Sequence, residues 1–458
     1  MGSSDAKSTV SNVNQLKHSL QVIKQDIIWL TKLIELRIEQ HFKDDETQDV
    51  FLLLPPKDLT YDDSFYSYLI EKYNFSNSER VILLMSLAVH VSPTCFDIFF
   101  SKNENYNRGY TEFGGVTGTA HNGFIPTGET ASFLLCGRDL EKRFHMLEYF
   151  SEYHPFHVQN ILHLADVKDG EPLFSGALTI SKEYLTLLTQ GRPYYPHYTS
   201  SFPAKRLTTQ LTIKDTVYDD HTWSGLEDLQ GWIKHGGEIM TDHGIRRYLK
   251  RGYRVLFYGP PGTGKTMTAA ILGKEAKLDV YQVDLSTVIS KYIGETEKNL
   301  AALFNMAENK NWILFFDEAD ALFGKRTQAQ SSNDQFANQQ VSYLLQRIED
   351  FDGTVILASN FKDNIDSAFL RRFQSIVFFP KPSADQRLKL WEKYFNGSFE
   401  FKFDLEPIAS EFELTGGSII NVLRYCSIAT RKRGTRKVEL EDIYTGIRKE
   451  YQKEGITI

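Results

Sequence analysis

One short stretch limits this chain more than any other. The apolar run Val255–Tyr258 leads straight into Gly259-Pro260-Pro261-Gly262-Thr263-Gly264-Lys265-Thr266, and a helical pattern begins at Met267. The loop matches G-x-x-x-x-G-K-[ST], with a strand before it and a helix after it. Glycines let successive backbone N–H groups turn inward around phosphate oxygens, and the helix N-terminus adds partial positive charge. Lys265 has the length to reach the β- and γ-phosphates, and the Thr266 hydroxyl suits Mg²⁺. The spacing therefore predicts a nucleotide site built from Gly259, Pro260, Pro261, Gly262, Thr263, Gly264, Lys265, Thr266 and Met267, with ATP and Mg²⁺ as its ligands.

Further apolar runs follow at regular intervals: Val280–Val283, Trp312–Phe316, Val355–Ala358 and Ile376–Phe379, each separated by a helical stretch. Runs without polar alternation are what strands covered on both faces look like, and strand–helix alternation implies a parallel sheet. The fold class expected is α/β, an αβα sandwich around a parallel sheet, spanning 223–382. From Ser383 the pattern is helical only, which predicts a small all-α lid over 383–458.

The third strand ends in Asp317-Glu318-Ala319-Asp320. Asp317 is placed to hold Mg²⁺ through its water shell, and Glu318 to orient and deprotonate an attacking water. Such acids often cap strand ends, but about fifty residues after a phosphate loop they imply hydrolysis. The next strand ends at Asn360, whose amide suits the same water; the plainer reading is a turn residue. Arg371 and Arg372 precede the last strand. They are candidates to reach the γ-phosphate of a neighbouring subunit, which would put the active sites between subunits of a ring.

From about Trp223 to the C-terminus the chain resembles the AAA family of ATPases. The resemblance makes Lys265 and Thr266 the Walker A end, Asp317 and Glu318 the Walker B pair, Asn360 sensor 1, and Arg371 with Arg372 the arginine-finger region. The family separates these two arginines by Pro-Gly; here they are adjacent, which leaves open which one reaches across. Gly416 and Gly417 resemble the lid segment near the adenine. Ile419 and Ile420 stand where the wider superfamily carries a sensor 2 arginine. Ser290-Lys291-Tyr292-Ile293-Gly294-Glu295 looks like the pore loop, so six copies would present Tyr292 and Ile293 to an extended polypeptide. A polar loop from Gly324 to Asn338 would lie beneath it. The resemblance thus implies a homohexameric ATP hydrolase that remodels, unfolds or disassembles a protein through a central pore.

The N-terminal half divides into a helical region (1–75), a segment more loosely similar to the winged-helix-like region of some bacterial AAA proteins (76–190), and a Pro- and Tyr-rich stretch (191–222) that reads as a linker. Several such proteins accompany phage-tail-like contractile injection systems, and the layout is similar. The first helix carries Val13, Leu16, Leu20, Ile23, Ile27, Leu30 and Ile34 in coiled-coil steps until Arg37 breaks the register. That stripe suits packing on its own domain, a partner or another copy. A helix is also expected near Asp63–Tyr73, then one opening at Asn77 or Ser78 and stopped by Pro93; Asn103–Gly128 reads as a long loop.

Charge narrows the partners. Between Ser76 and Gln190 there are 8 Lys/Arg against 13 Asp/Glu, within a chain of net charge -7. A DNA-docking face needs clustered cations, so this half reads as a docking module for a protein substrate or adaptor, not for nucleic acid. A DNA-associated ATPase motor and a nucleotide-state assembly switch are the rival readings. Cys95, Cys136 and Cys426 are too scattered for a disulfide or zinc framework. His154, His157, His163 and Asp166 lie close in sequence but lack metal-ligand pairing. The longest apolar run, Val81–Val91, falls short of the roughly 20 residues that span a bilayer. Without a leader-like N-terminus, the chain reads as cytoplasmic.

Overall fold

The computed structural model describes residues 3–43, 49–59, 62–103, 107–199, 202–285, 295–320, 342–360, 370–395, 397, 399–453 and 455. They fall into two units, Met1–Tyr195 and Pro196–Ile458.

The first unit is built on α1 (Ser3–Lys43), which packs against α2 (Phe65–Lys72) and α3 (Asn77–Val91). Its buried stripe is Ser19, Val22, Ile23, Asp26, Trp29, Leu30, Leu33, Ile34, Arg37 and Gln40, while Leu20 and Ile28 are exposed. The packing face thus shares Ile23, Leu30 and Ile34 with the heptad seam, with Ile27 packed beside them, and leaves only Leu20 of the seam's described residues exposed. It is a 3.6-residue stripe that includes polar side chains, because each of the charged ones finds a partner. Arg80 of α3 grips Asp26 with two bonds of 2.7 Å, Tyr66 donates to the same carboxylate at 2.8 Å, and Arg37 donates to the Leu134 carbonyl at 2.9 Å. Burial, then the neighbouring Asp26, pushes the Tyr66 phenol well above its ordinary pKa. Arg37, the residue that breaks the heptad, is a cross-link to α4 (Gly128–Cys136).

Helix α3 opens with a reciprocal cap, the Ser76 hydroxyl to the Glu79 N–H and the Glu79 carboxylate to the Ser76 N–H. It ends at Val91, before Pro93. After α4 come α5 (Leu140–Glu148), an antiparallel pair β1 (Leu162–Leu164) and β2 (Leu178–Ile180), and α6 (Lys182–Gln190).

In the second unit, a six-stranded sheet carries the site. Its strands are β3 (Ala204–Leu207), β4 (Tyr253–Tyr258), β5 (Val280–Val283), β6 (Ile313–Phe316), β7 (Thr354–Ser359) and β8 (Ser375–Phe378), in the spatial order β8-β4-β7-β6-β5-β3. Five are parallel; β3 joins the edge antiparallel to β5. The sheet is thus mostly parallel, as expected, with one antiparallel edge strand supplied by the stretch read as a linker.

Alternate residues of β4 serve opposite faces. Val255 and Phe257 pack with Leu226, Leu229, Ala269 and Leu272 from α7 (Asp220–Thr241) and α8 (Lys265–Ala276). Leu256 packs with Leu300, Leu303 and Phe304 from α9 (Glu295–Lys310). This is the αβα sandwich. The lid follows as α10 (Ala384–Phe395), α11 (Glu406–Glu411), α12 (Gly416–Lys432) and α13 (Leu440–Lys453) around Trp391, Phe395, Val422, Cys426 and Ile447. The basic stretch after α12 is a turn in which Arg433 bonds Asp442 at 2.7 Å.

Candidate nucleotide site

Strand β4 sits between β7 and β8, where the chain reverses its winding direction, and ligands of open α/β sheets bind at such switch points. The loop 259–264 lies there, between β4 and α8. A cleft of about 440 Å³ runs from it to the lid. Gly262 has φ +78°, and a Cβ on it would come within 2.6 Å of the Thr415 hydroxyl. Glycine is needed both for the turn and for the lid's close approach. The lid makes that approach through Gly417, whose N–H donates to the Gly262 carbonyl at 2.9 Å.

Lys265, the first residue of α8, is buried. Its ammonium donates to the carbonyls of Gly259 (2.6 Å) and Pro260 (3.1 Å) and to Asn360 Oδ1 (3.0 Å). Burial lowers its pKa, and the nearby Asp317 and Asp320 carboxylates only partly offset this. The Thr266 hydroxyl donates to Asp317 Oδ2 at 3.0 Å, and Gln282 of β5 donates to the same oxygen at 3.1 Å. A hydroxyl and a carboxylate held side by side form an all-oxygen donor set, which fits a hard cation such as Mg²⁺.

Glu318 is exposed at the mouth of this cluster, with φ +50°. A non-glycine residue in the left-handed region costs about 1–3 kcal/mol, and such strain concentrates at functional positions. The conformation is held on one side by the Glu318 N–H bonding Asp317 Oδ1 at 3.0 Å, and on the other by the Ala319 N–H bonding the Ala358 carbonyl at 2.8 Å. Lys265, Thr266, Asp317, Glu318 and Asn360 all line the one cleft, as do Pro261, Gly262, Thr263, Gly264, Met267, Gly416 and Gly417. Gly259 and Pro260 are not among the lining residues and present their carbonyls to Lys265.

Three contributions went unread in the sequence. Asp320 accepts the Asn360 N–H at 3.2 Å and the Ser359 hydroxyl, fixing the end of β7; the third acid of the Asp317–Asp320 run was the available signal. Gln282 steadies Asp317. Thr216, Val217, Tyr218 and Asp219, assigned to the linker, line the cleft, and Asp219 also caps α7. Pro380, Pro382, Leu390, Tyr394 and Ile420 also line the cleft, so part of its wall is apolar. Ile420 fills the position without a sensor 2 arginine; Arg424 is exposed and does not line the cleft.

The two adjacent arginines separate. Arg372 is paired with Glu349, whereas Arg371 is exposed and has no partner among the described residues. Neither lines its own chain's cleft. Tyr292, Ile293 and the loop Gly324–Asn338 lie outside the described residues. His154 is a structural residue: its Nε2 bonds Glu79 at 2.9 Å and its Nδ1 accepts the Phe156 N–H at 3.2 Å. No group of three metal-ligating side chains occurs among the described residues.

Residues 255–381 match the family described as "ATPase family associated with various cellular activities (AAA)". This chain carries an AAA ATPase domain. Cell division protein C of Sulfolobus acidocaldarius is 39% identical over 179 residues, covering 37% of this chain and 48% of that protein. A proteasome-activating nucleotidase of Methanococcus vannielii is 32% identical over 215 residues (44% and 53%), and the ATP-dependent zinc metalloprotease FtsH 3 of Symbiobacterium thermophilum is 28% identical over 251 (52% and 39%). The chain spans about half the length of these curated relatives, or less. The AAA domain match covers the Walker-type loop and the acid pair.

Proposed function

We propose that this chain is an Mg²⁺-dependent ATP hydrolase that works as a ring, a homohexamer, on a protein substrate. The observation that carries the reading is the convergence of Lys265, Thr266, Asp317, Glu318 and Asn360 on one cleft. The loop N–H groups and Lys265 bind the phosphates, exchanging the lysine's carbonyl partners for phosphate oxygens. The apolar part of the cleft wall takes the base. Thr266 and Asp317 hold Mg²⁺, which neutralises charge on the β- and γ-phosphates when bound. Glu318 takes the proton of the attacking water, and Asn360, set by Asp320, orients that water.

Arg371 is the arginine we assign to the neighbouring subunit's γ-phosphate, because it is exposed and has no partner among the described residues, while Arg372 pairs with Glu349. The relatives' names mention cell division, proteasome activation and proteolysis, and support work on proteins. Threading past Tyr292 and Ile293, a cytoplasmic location and service to a contractile injection system belong to the same proposal, the last on likeness of layout alone. Among the described residues, no single helix is long and apolar enough to cross a membrane.

Glu318→Gln tests the core of the reading. It should bind ATP as tightly as the wild type while phosphate release falls by about 10²-fold or more. Turnover at the wild-type rate would remove Glu318 from the mechanism.

A further inference from the structure

The first unit displays one helix with its apolar side outward. In α5, Leu140, Phe144 and Leu147 recur at i, i+4 and i+7 and are 68%, 69% and 44% exposed. Tyr153, in the turn that follows, is 90% exposed. Met146 alone is buried, its sulfur 3.9 Å from that of Cys136. One buried side chain is little to hold a helix, so α5 is pinned by polar contacts. Asp139 caps it, accepting the N–H groups of Glu141 and Lys142 at 3.0 and 3.1 Å. Lys142 bonds Asp49 at 2.8 Å, and Arg143 bonds Glu129 at 2.7 Å and Ser132 at 3.1 Å. The helix is thus fixed before any partner arrives, which lowers the ordering cost of binding.

The same pins set the charge of the face. Both cations of α5 are neutralised by acids elsewhere in the unit, leaving the exposed carboxylates Glu141, Glu148 and Glu152; Glu148 has His145 at 3.9 Å as its ion-pair contact among the described residues. Arg138 precedes the cap and has a contact of its own. An apolar stripe with an acidic rim repels phosphate backbones and anionic headgroups, and attracts cationic side chains.

We propose that the outward face of α5 docks an amphipathic segment of a partner protein whose apolar stripe is flanked by Lys or Arg. This rests on reading the first unit as a protein-docking module, and gives that module a surface and a partner chemistry.

Two labelled synthetic peptides test it on the full-length chain: a Leu/Lys amphipathic helix and a Leu/Glu helix of the same spacing. The Leu/Lys peptide should bind, more weakly as salt rises, and protect Leu140–Val158 from hydrogen exchange. Phe144→Glu and Leu147→Glu replace exposed side chains; each should weaken binding about tenfold or more while ATP turnover stays unchanged. Equal binding of the Leu/Glu peptide, no binding of either, or binding indifferent to both substitutions overturns the proposal. Protection elsewhere within 1–195 would refute this face and leave the docking module standing. Protection confined to 196–458 would refute both.

Discussion

Gly417→Ala is the most informative change to the cleft, because its neighbour provides the control. A Cβ at Gly417 would lie 3.1 Å from Gly262 Cα and 3.3 Å from Gly262 O, whereas a Cβ at Gly416 meets nothing closer than 3.8 Å. The atoms met at Gly417 are backbone and cannot rotate away. Relief requires the lid to retreat from the phosphate loop, stretching the 2.9 Å bond from the Gly417 N–H to the Gly262 carbonyl. Overpacking costs about 1–3 kcal/mol and the hydrogen bond about 0.5–1.5 kcal/mol. Both substitutions gain about 0.5–1 kcal/mol of helix propensity, so the difference between them isolates the contact. About 2 kcal/mol of lost closure corresponds to about thirtyfold in nucleotide affinity. Titration of a fluorescent ATP analogue, with melting curves to exclude unfolding, reads this directly. If both variants bind within threefold of each other, closure through Gly417 is not what the cleft uses.

Three further outcomes are expected. Arg371→Ala should reduce kcat about 10³-fold with ATP affinity nearly unchanged, and should poison rings when mixed with wild-type chain; Arg372→Ala, which loses an exposed pair worth about 0.2–1 kcal/mol, should be far milder, and equal kcat losses would refute the assignment. Asp26→Ala strands the buried Arg80 guanidinium and should destabilise the first unit by about 3–5 kcal/mol, seen by calorimetry as an earlier transition; an unmoved transition would mean the pair is dispensable. Asp442 is held below its ordinary pKa of 3.8 chiefly by its bonds from Arg433. A depressed folded-state pKa gives stability that is present above the ordinary value and lost as pH falls through the folded value. The lid's melting temperature should therefore drop below about pH 4, and Asp442→Asn should flatten that dependence.

What the sequence made readable, and what it hid, divides along physical lines. The four later strands begin and end within one residue of the apolar runs that announce them; Ile313–Phe316 and Thr354–Ser359 are buried throughout, whereas Ser375–Phe378 lies at the sheet edge with Ile376 and Phe378 exposed. Ala204–Leu207 escaped because Lys205 and Arg206 make it read as loop; its strand character comes from pairing with Val280–Val283, a contact no local pattern encodes. The long first helix packs on its own unit, one of the readings its stripe allowed, but its polar share was not legible. Asp26 and Arg37 are buried beside its apolar residues because Arg80 and the Leu134 carbonyl wait for them. In the site, the residues proposed to touch phosphate or metal stood out by spacing. Those that position them, Asp320 and Gln282, did not, since an acid or amide at a strand end has many ordinary uses.

The antiparallel strand bears on how the ATPase unit can be cut out of the chain. β3 covers the backbone edge of β5, and around it Asp284 donates its N–H to the Pro203 carbonyl at 3.0 Å, Tyr198 donates to the Asp284 carboxylate at 3.0 Å, and Arg206 bonds Asp279 at 2.7 Å. A fragment beginning at Trp223 would leave Val280–Val283 with bare N–H and C=O groups beside an apolar face, a template for edge-to-edge aggregation. A fragment beginning at Pro196 keeps its own edge guard. The soluble boundary of the ATPase therefore lies well upstream of the nucleotide loop, within the stretch whose composition is least like a folded domain.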